Sequence, residues 1–427
     1  MKSETLENSA VMETAKPVNA AAPDLTAYYG NRPLMWRNLG LILLLNLGWG
    51  VTFTVINPLI QLRLSSMGVS SSGLGMISAI NSWVYSYAVM FFAWKSDHTV
   101  SRFGRRIPYL FISAPVIVTV ITLFPFIGIP WILVGLALLQ TLFMDIKAAT
   151  IPLLNIDCMP RQMLARTAAP AAIGMGLVNF LGMRYGMRIS EWSEMLPYLL
   201  AGAILTATTL TGGFLIKEPP VTAPTTEKFR PWSAMKVALK DRRALVLMVS
   251  VSLFQTFQIL YGNWIWLYAK NTLHMSRMES GLVMSWGILV SVSMAFPLAW
   301  LIDRISPYKL LPFFCALAGT ALWFALHITC PTDLIIVASL VALGQGLYGA
   351  SDIMVYRNAN PAEVGSVTST NSCLRGLYNG CTAIFAGFLI QHSGGHYEYA
   401  FILGFILTSL GLVPLYFYKH LMSARQN

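Results

Sequence analysis

Charged side chains are scarce in the long apolar stretches of this chain, so each one found there is a candidate for chemistry. Asp145 is the clearest case. It stands about fourteen residues after Trp131, roughly 21 Å along a helix at 1.5 Å per residue, beyond the middle of a hydrocarbon layer. A charge at that depth costs at least a few kcal/mol, and its retention points to function. An acid whose surroundings alternate between dry and wet takes up a proton in one state and releases it in the other. The bland alternative is a structural ion pair. Lys147 is two positions on and about 200° around the helix, so it cannot close such a pair locally. It is expected to snorkel toward headgroups or to meet an acid on another helix.

Other polar residues fall into helical stripes. Gln345, Tyr348, Asp352 and Tyr356 follow one another at spacings of three and four, as do Asn371, Arg375 and Asn379 at four. Two such stripes would not survive facing lipid, so they are expected to face protein or a wet cavity, with Asp352 and Arg375 pairing as a gate or as a solute contact. Gln255, Gln258, Gly262 and Trp266 share a further face. Rings beside amides suit sugars, whose C–H faces stack while their hydroxyls take directed hydrogen bonds. The competing reading places Trp264 and Trp266 in the interfacial aromatic belt. Asn46, Gly50, Phe53 and Asn57 form a stripe near the start of the chain, and Asn81 and Tyr85 another. No nucleophile elbow, phosphate loop or metal-spaced His/Cys cluster occurs, so no enzyme, cofactor or metal is expected. Cys158, Cys315, Cys330, Cys373 and Cys381 are scattered and read as small apolar residues.

The elements that must position these residues follow from composition. Of 427 residues, 56% are hydrophobic and 11% charged, against about 25% charged in soluble domains. Apolar runs long enough to cross about 30 Å recur near 38–61, 73–94, 108–128, 131–153, 168–189, 196–216, 244–268, 279–301, 310–329, 333–356, 367–391 and 399–418. Lipid satisfies no backbone polar group, so each must be a helix. The expected layout is a disordered tail over 1–33, six helices over 34–216, a basic and Pro-rich linker over 217–243, six helices over 244–421 and a short tail over 422–427. No signal-peptide pattern is present. The net charge of +11 fits basic loops against anionic lipid rather than nucleic acid. About nine Lys/Arg in the even-numbered loops against about five in the odd ones place both termini and the linker on the cytoplasmic side.

The halves repeat weakly. Asp97 and the bases after it match Asp303, Arg304 and Lys309, and Pro160-Arg161 to Arg166 matches Asn360-Pro361 to Glu363. At the first of these loops the stretch Ser96, Asp97, Arg102, Gly104, Arg105, Arg106 resembles the signature of the glycoside-pentoside-hexuronide cation symporters, sucrose transporters in particular. Ser96 stands where the wider superfamily usually carries glycine, and Gly104 supplies the positive φ of a sharp turn. Met144-Asp145-Ile146 followed by Pro152 to Asp157 resembles the same family's stretch with a proton-coupling acid. The resemblance implies an all-α membrane protein with twelve transmembrane helices in two six-helix bundles, the major facilitator fold, serving as a monomeric sugar transporter with proton or sodium symport in the inner membrane.

The solute and cation site is then expected among Asp145, Asp352, Arg375, Asn57, Asn81, Gln255, Gln258, Trp266, Gln345, Tyr348, Asn371 and Asn379. Asp97, Arg102, Gly104, Arg105, Arg106, Asp303 and Arg304 are expected to act as a conformational gate, with Asp97 capping a helix start. Two alternatives remain: a carrier of a non-sugar solute such as a drug or organic acid, and a non-transporting membrane receptor or lipid-handling protein.

Overall fold

The computed structural model describes residues 26–159, 164–219, 235, 239, 242–305, 307–328, 330, 332–344 and 364–423. These residues are helical between short turns, with no strand among them. After one turn at Thr26–Gly30, α1 runs over Arg32–Ser66, α2 over Ser71–Asp97, α3 over Ile107–Leu123 and α4 over Pro130–Cys158. They are followed by α5 (164–192), α6 (Leu196–Leu215), α7 (242–271), α8 (Arg277–Arg304), α9 (Pro307–Leu326), α10 (Asp333–Gly344), α11 (Val364–His392) and α12 (398–423). Among the described residues, nine helices are long and apolar enough to cross a membrane, and Asp333–Gly344 is a shorter apolar one.

Local chemistry explains where several of these rods start and bend. Ser70 accepts from the Gly73 N–H to open α2, and Ser276 with Glu279 forms a capping box that opens α8, the matching helix six places on. The chain in α7 breaks at Gln255 because the Thr408 hydroxyl of α12 enters the ladder, accepting from the Phe257 N–H at 3.0 Å. Ser250 in turn donates to the Gly411 carbonyl at 2.7 Å, where α12 has its own break. On α1 the ladder widens into a π-turn at Thr52–Ile56, and on α5 at Gly182–Gly186.

Packing repeats when six is added to each helix number. α1 packs on α4, α5 and α6, while α2 lies on α4, and α3 on α4 and α6. Likewise α7 packs on α11 and α12, α8 on α10, and α9 on α10 and α12. This pattern makes two equivalent bundles, as the weak sequence repeat suggested.

The bundles meet along α2 with α11, α5 with α8, and α1 with α7. We call the side where α1 begins the near side and the opposite one the far side. Toward the far side the seams are shut. Gln61 donates to the Asn263 carbonyl, the Asn263 amide to Ser78 at 3.1 Å, and the Ser72 N–H to Gln391 at 3.3 Å. Glu194 pairs with Arg63 of α1 at 3.4 Å and with Arg277 of α8 at 3.3 Å, beside a far-side cavity of about 320 Å³. At its far end the α2–α11 seam is backbone on backbone: a Cβ added to Gly75 would lie 2.5 Å from the Ala383 carbonyl oxygen, whereas farther along Trp83 and Ser86 pack on Gly380 and Gly376. Gly75→Leu is therefore expected to wedge the far side open, read as a several-fold rise in thiol labelling of a cysteine placed at Ser78.

Candidate functional site

On the first bundle lies a cavity of about 420 Å³ walled by Asn46, Trp49, Phe53 and Asn57 of α1, Tyr85 of α2, and Thr141, Met144, Asp145, Lys147, Ala148, Ile151 and Pro152 of α4. The rings of Phe53 and Tyr85 on its wall are half-exposed. The α1 residues recur at spacings of three and four, so a single helix face supplies an amide, two rings and an amide in series. Trp49 and Phe53 are stacked, with centroids 5.7 Å apart and planes 28° apart.

Asp145 is 6% exposed, and its Oδ2 is buried without a hydrogen-bond partner among the described residues. A buried carboxylate oxygen left so is costly when charged, which favours the protonated acid in this state. Two turns on, Pro152 lacks the N–H that would bond the Ala148 carbonyl, so α4 leaves a backbone acceptor free of its helical partner one turn from Asp145 on the cavity wall. Across the cavity, Tyr85 lies within electrostatic reach of both Asp145 and Arg375 of α11. Asn57 accepts a long bond from Gln140 at 3.4 Å.

Lys147 neither snorkels nor meets an acid among the described residues. It is fully buried and donates to the Thr209 hydroxyl of α6 at 3.0 Å, while still forming part of the cavity wall.

The second bundle holds the other predicted polar residues at different depths. Gln255 is fully buried at the α7 break, with neither side-chain polar atom partnered among the described residues. Gln258 donates to the Val341 carbonyl of α10 at 3.4 Å. Asn371 is buried and Asn379 half-buried, each with an Oδ1 lacking a partner among the described residues. Asn81 is half-buried one turn from Tyr85. Trp264 and Trp266 are buried at 1% and 6% exposure within the apolar core, so neither the interfacial belt nor the cavity holds them. The Trp264 ring lies 6.2 Å from that of Tyr397, just before α12. Gln345, Tyr348 and Asp352 lie outside the described residues.

Of the predicted gate residues, Asp97, Gly104, Arg105 and Arg106 assemble at one end of the first bundle. Arg106, 2% exposed, donates to Asp157 at 3.0 Å, to Asp97, to the Ser96 hydroxyl and to the Ala93 carbonyl. Arg105 pairs with Asp157 and, at 3.6 Å, with Asp97. Asp97 thus closes the end of α2 instead of capping a helix start. The cap of α3 comes from Glu218, just beyond α6, whose carboxylate accepts from the backbone N–H groups of Arg105, Arg106 and Ile107 at 2.7–2.9 Å. Burial pushes the Glu218 carboxyl up from the usual glutamate range; the three N–H donors pull it down, and the nearby Asp157 adds to the rise. Gly104 has φ +106°, as its turn requires, and a Cβ there would strike the Glu218 carboxylate. Arg102 is exposed over the Phe103 ring at 4.8 Å. Arg304 lies over Trp300 at 4.5 Å, and the Asp303 side chain is outside the described set. Asp157, Glu218, Trp49, Arg63, Glu194 and Arg277 were not singled out by sequence reasoning. The only hint was an acid directly after an apolar run for Asp157 and directly before a Pro pair for Glu218.

A family model described as Major Facilitator Superfamily matches residues 39–377. The chain belongs to the Major Facilitator Superfamily. Solved structures that share the superfamily's fold agree along nearly the whole chain. A nucleoside transporter superposes with a TM-score of 0.72 at 12% identity, covering 91% of this chain and 99% of that one. A bacterial homologue of the human lysosomal transporter Spinster, inward-facing and unoccupied, gives 0.66 at 12%, with 91% and 97% covered. A POT family transporter in complex with 5-aminolevulinic acid gives 0.74 at 12%, with 90% and 96% covered. No curated protein matches the sequence. Superfamily and fold point to a multi-pass membrane transporter rather than an enzyme.

Proposed function

We propose that this protein carries a small polar solute, a sugar or related glycoside, across the cytoplasmic membrane by alternating access, driven by proton symport. The observation that carries the reading is Asp145: an acid on the wall of the cavity, buried, with one oxygen unpartnered among the described residues. A proton suits that environment better than sodium, which wants several oxygen ligands. Stacked rings flanked by amides on α1 support a ring-bearing, hydroxyl-rich solute. The resemblance of Asp97 to Arg106 and of Met144 to Asp157 to sugar–cation symporters points the same way. The basic near-side loops support placing that side, with both termini, in the cytoplasm, and the protein acts as a monomer.

A non-sugar solute is the second reading, favoured by fold neighbours that include a nucleoside transporter and a transporter holding 5-aminolevulinic acid. Uptake of radiolabelled sugars into proteoliposomes under an imposed pH gradient tests the first. Gradient-dependent accumulation of at least one glycoside is expected, whereas accumulation of nucleosides or amino acids alone would overturn it.

A further inference from the structure

The two π-turns lie against each other, and each precedes the residues that close the far side. Within the α1 turn, Val55 points onto α5, where a Cβ added to Gly186 would stand 2.8 Å and one added to Gly182 3.3 Å from its methyl groups. Thr54 in the same turn donates to Asn179 at 2.8 Å. Phe53, also in that turn, faces the cavity. Beyond the turn, α1 carries Gln61, bonded to Asn263 of α7, and Arg63, bonded to Glu194.

α5 meets α8 before, within and beyond its own turn. The Met183 carbonyl and the Met187 side chain press on Gly281, Ser190 accepts from Arg277 at 3.4 Å, and Glu191 accepts from the Met278 N–H at 2.8 Å. A π-turn holds one residue more than an α-turn, so relaxing it rotates everything after it by about 100° about the helix axis.

We infer that the paired π-turns of α1 and α5 are the switch that couples solute at Phe53 to the far-side closure. In the π form the far ends of α1 and α5 present Gln61, Ser190 and Glu191 to the opposite bundle, and Arg63 holds Glu194, the partner of Arg277 on α8. Relaxation of either turn swings those groups off their partners and releases the seam. Val55, seated on Gly182 and Gly186, makes the two turns change together, so a ring pressing on Phe53 biases both. This is a two-state element on which the solute site and the far closure both act. The inference rests on the alternating-access reading above.

Spin labels at Ser66 and Thr272, exposed at the far ends of α1 and α7, measure the closure in the full-length protein. Wild type is expected to show a short and a long distance. Deleting Tyr185, which is half-exposed in the α5 turn, restores α geometry while keeping the later residues on the α8 face, so the long distance should fall at least tenfold in population. Gly186→Val, which drives a side chain into Val55, should raise the long distance, and adding Val55→Ala should bring it back. If the deletion does not elute as a monodisperse protein, the Gly186→Val and Val55→Ala pair decides the question by itself. Two unchanged distances in both variants overturn the switch alone. A single distance in wild-type protein that still transports overturns alternating access, and the switch with it.

Discussion

Replacing Asp145 by Asn is expected to abolish concentrative uptake while leaving exchange across the membrane intact. The amide keeps the shape of the acid and stays neutral, the form the buried, unpartnered Oδ2 favours in this state. Solute binding and the motion of the bundles should therefore survive. What is lost is the cycle of proton uptake and release. A gradient of one pH unit is worth about 1.4 kcal/mol, tenfold accumulation for one proton per solute. Wild-type proteoliposomes should approach that ratio and the variant should stop at equal concentrations, while counterflow of preloaded solute runs near the wild-type rate. Undiminished accumulation by Asp145→Asn would remove the acid from the coupling step.

The second large effect is expected at Asp157. Its carboxylate, 9% exposed, holds both Arg105 and Arg106, and the latter guanidinium is almost wholly inside the protein. Removing one partner of a buried pair costs about 3–5 kcal/mol when the charge is left alone. Here the half-exposed Asp97 still pairs with both guanidinium groups, so the low end of that range is expected. Asp157→Ala should lower the thermal midpoint of the purified protein by roughly 10 °C, at about 2–4 °C per kcal/mol for a unit of this size. Arg102→Ala, in the same loop but exposed, should stay within about 0.5 kcal/mol of wild type. Equal drops for the two variants would show that the loop charges act through solvent and that the network contributes nothing specific.

Much of the fold was legible in the sequence because lipid leaves little choice: an apolar run of twenty residues has to be a helix, and short turns force its neighbour to run back. Asp145 was legible for the same reason, a lone acid where none is tolerated without cause. Gly104 could be read from its place in a tight turn. The partners of the loop charges could not, because Glu218 lies more than a hundred residues from the N–H groups it caps and reaches them only through packing of α6. Trp266 and Trp49 show the other limit. On a helix apolar all round, no periodicity tells which face meets the cavity, so the rings expected on α7 belong to the core and those on α1 face the solute space. The π-turns left no mark either, since Thr52–Ile56 is an ordinary apolar run.

The bare far-end meeting of α2 and α11 has a mechanical consequence. Side-chain interfaces yield because rotamers give way, but a glycine Cα set against a carbonyl has nothing to compress. At that crossing, sliding of one helix past the other meets backbone at once, and rolling about it is the movement that strains the contact least.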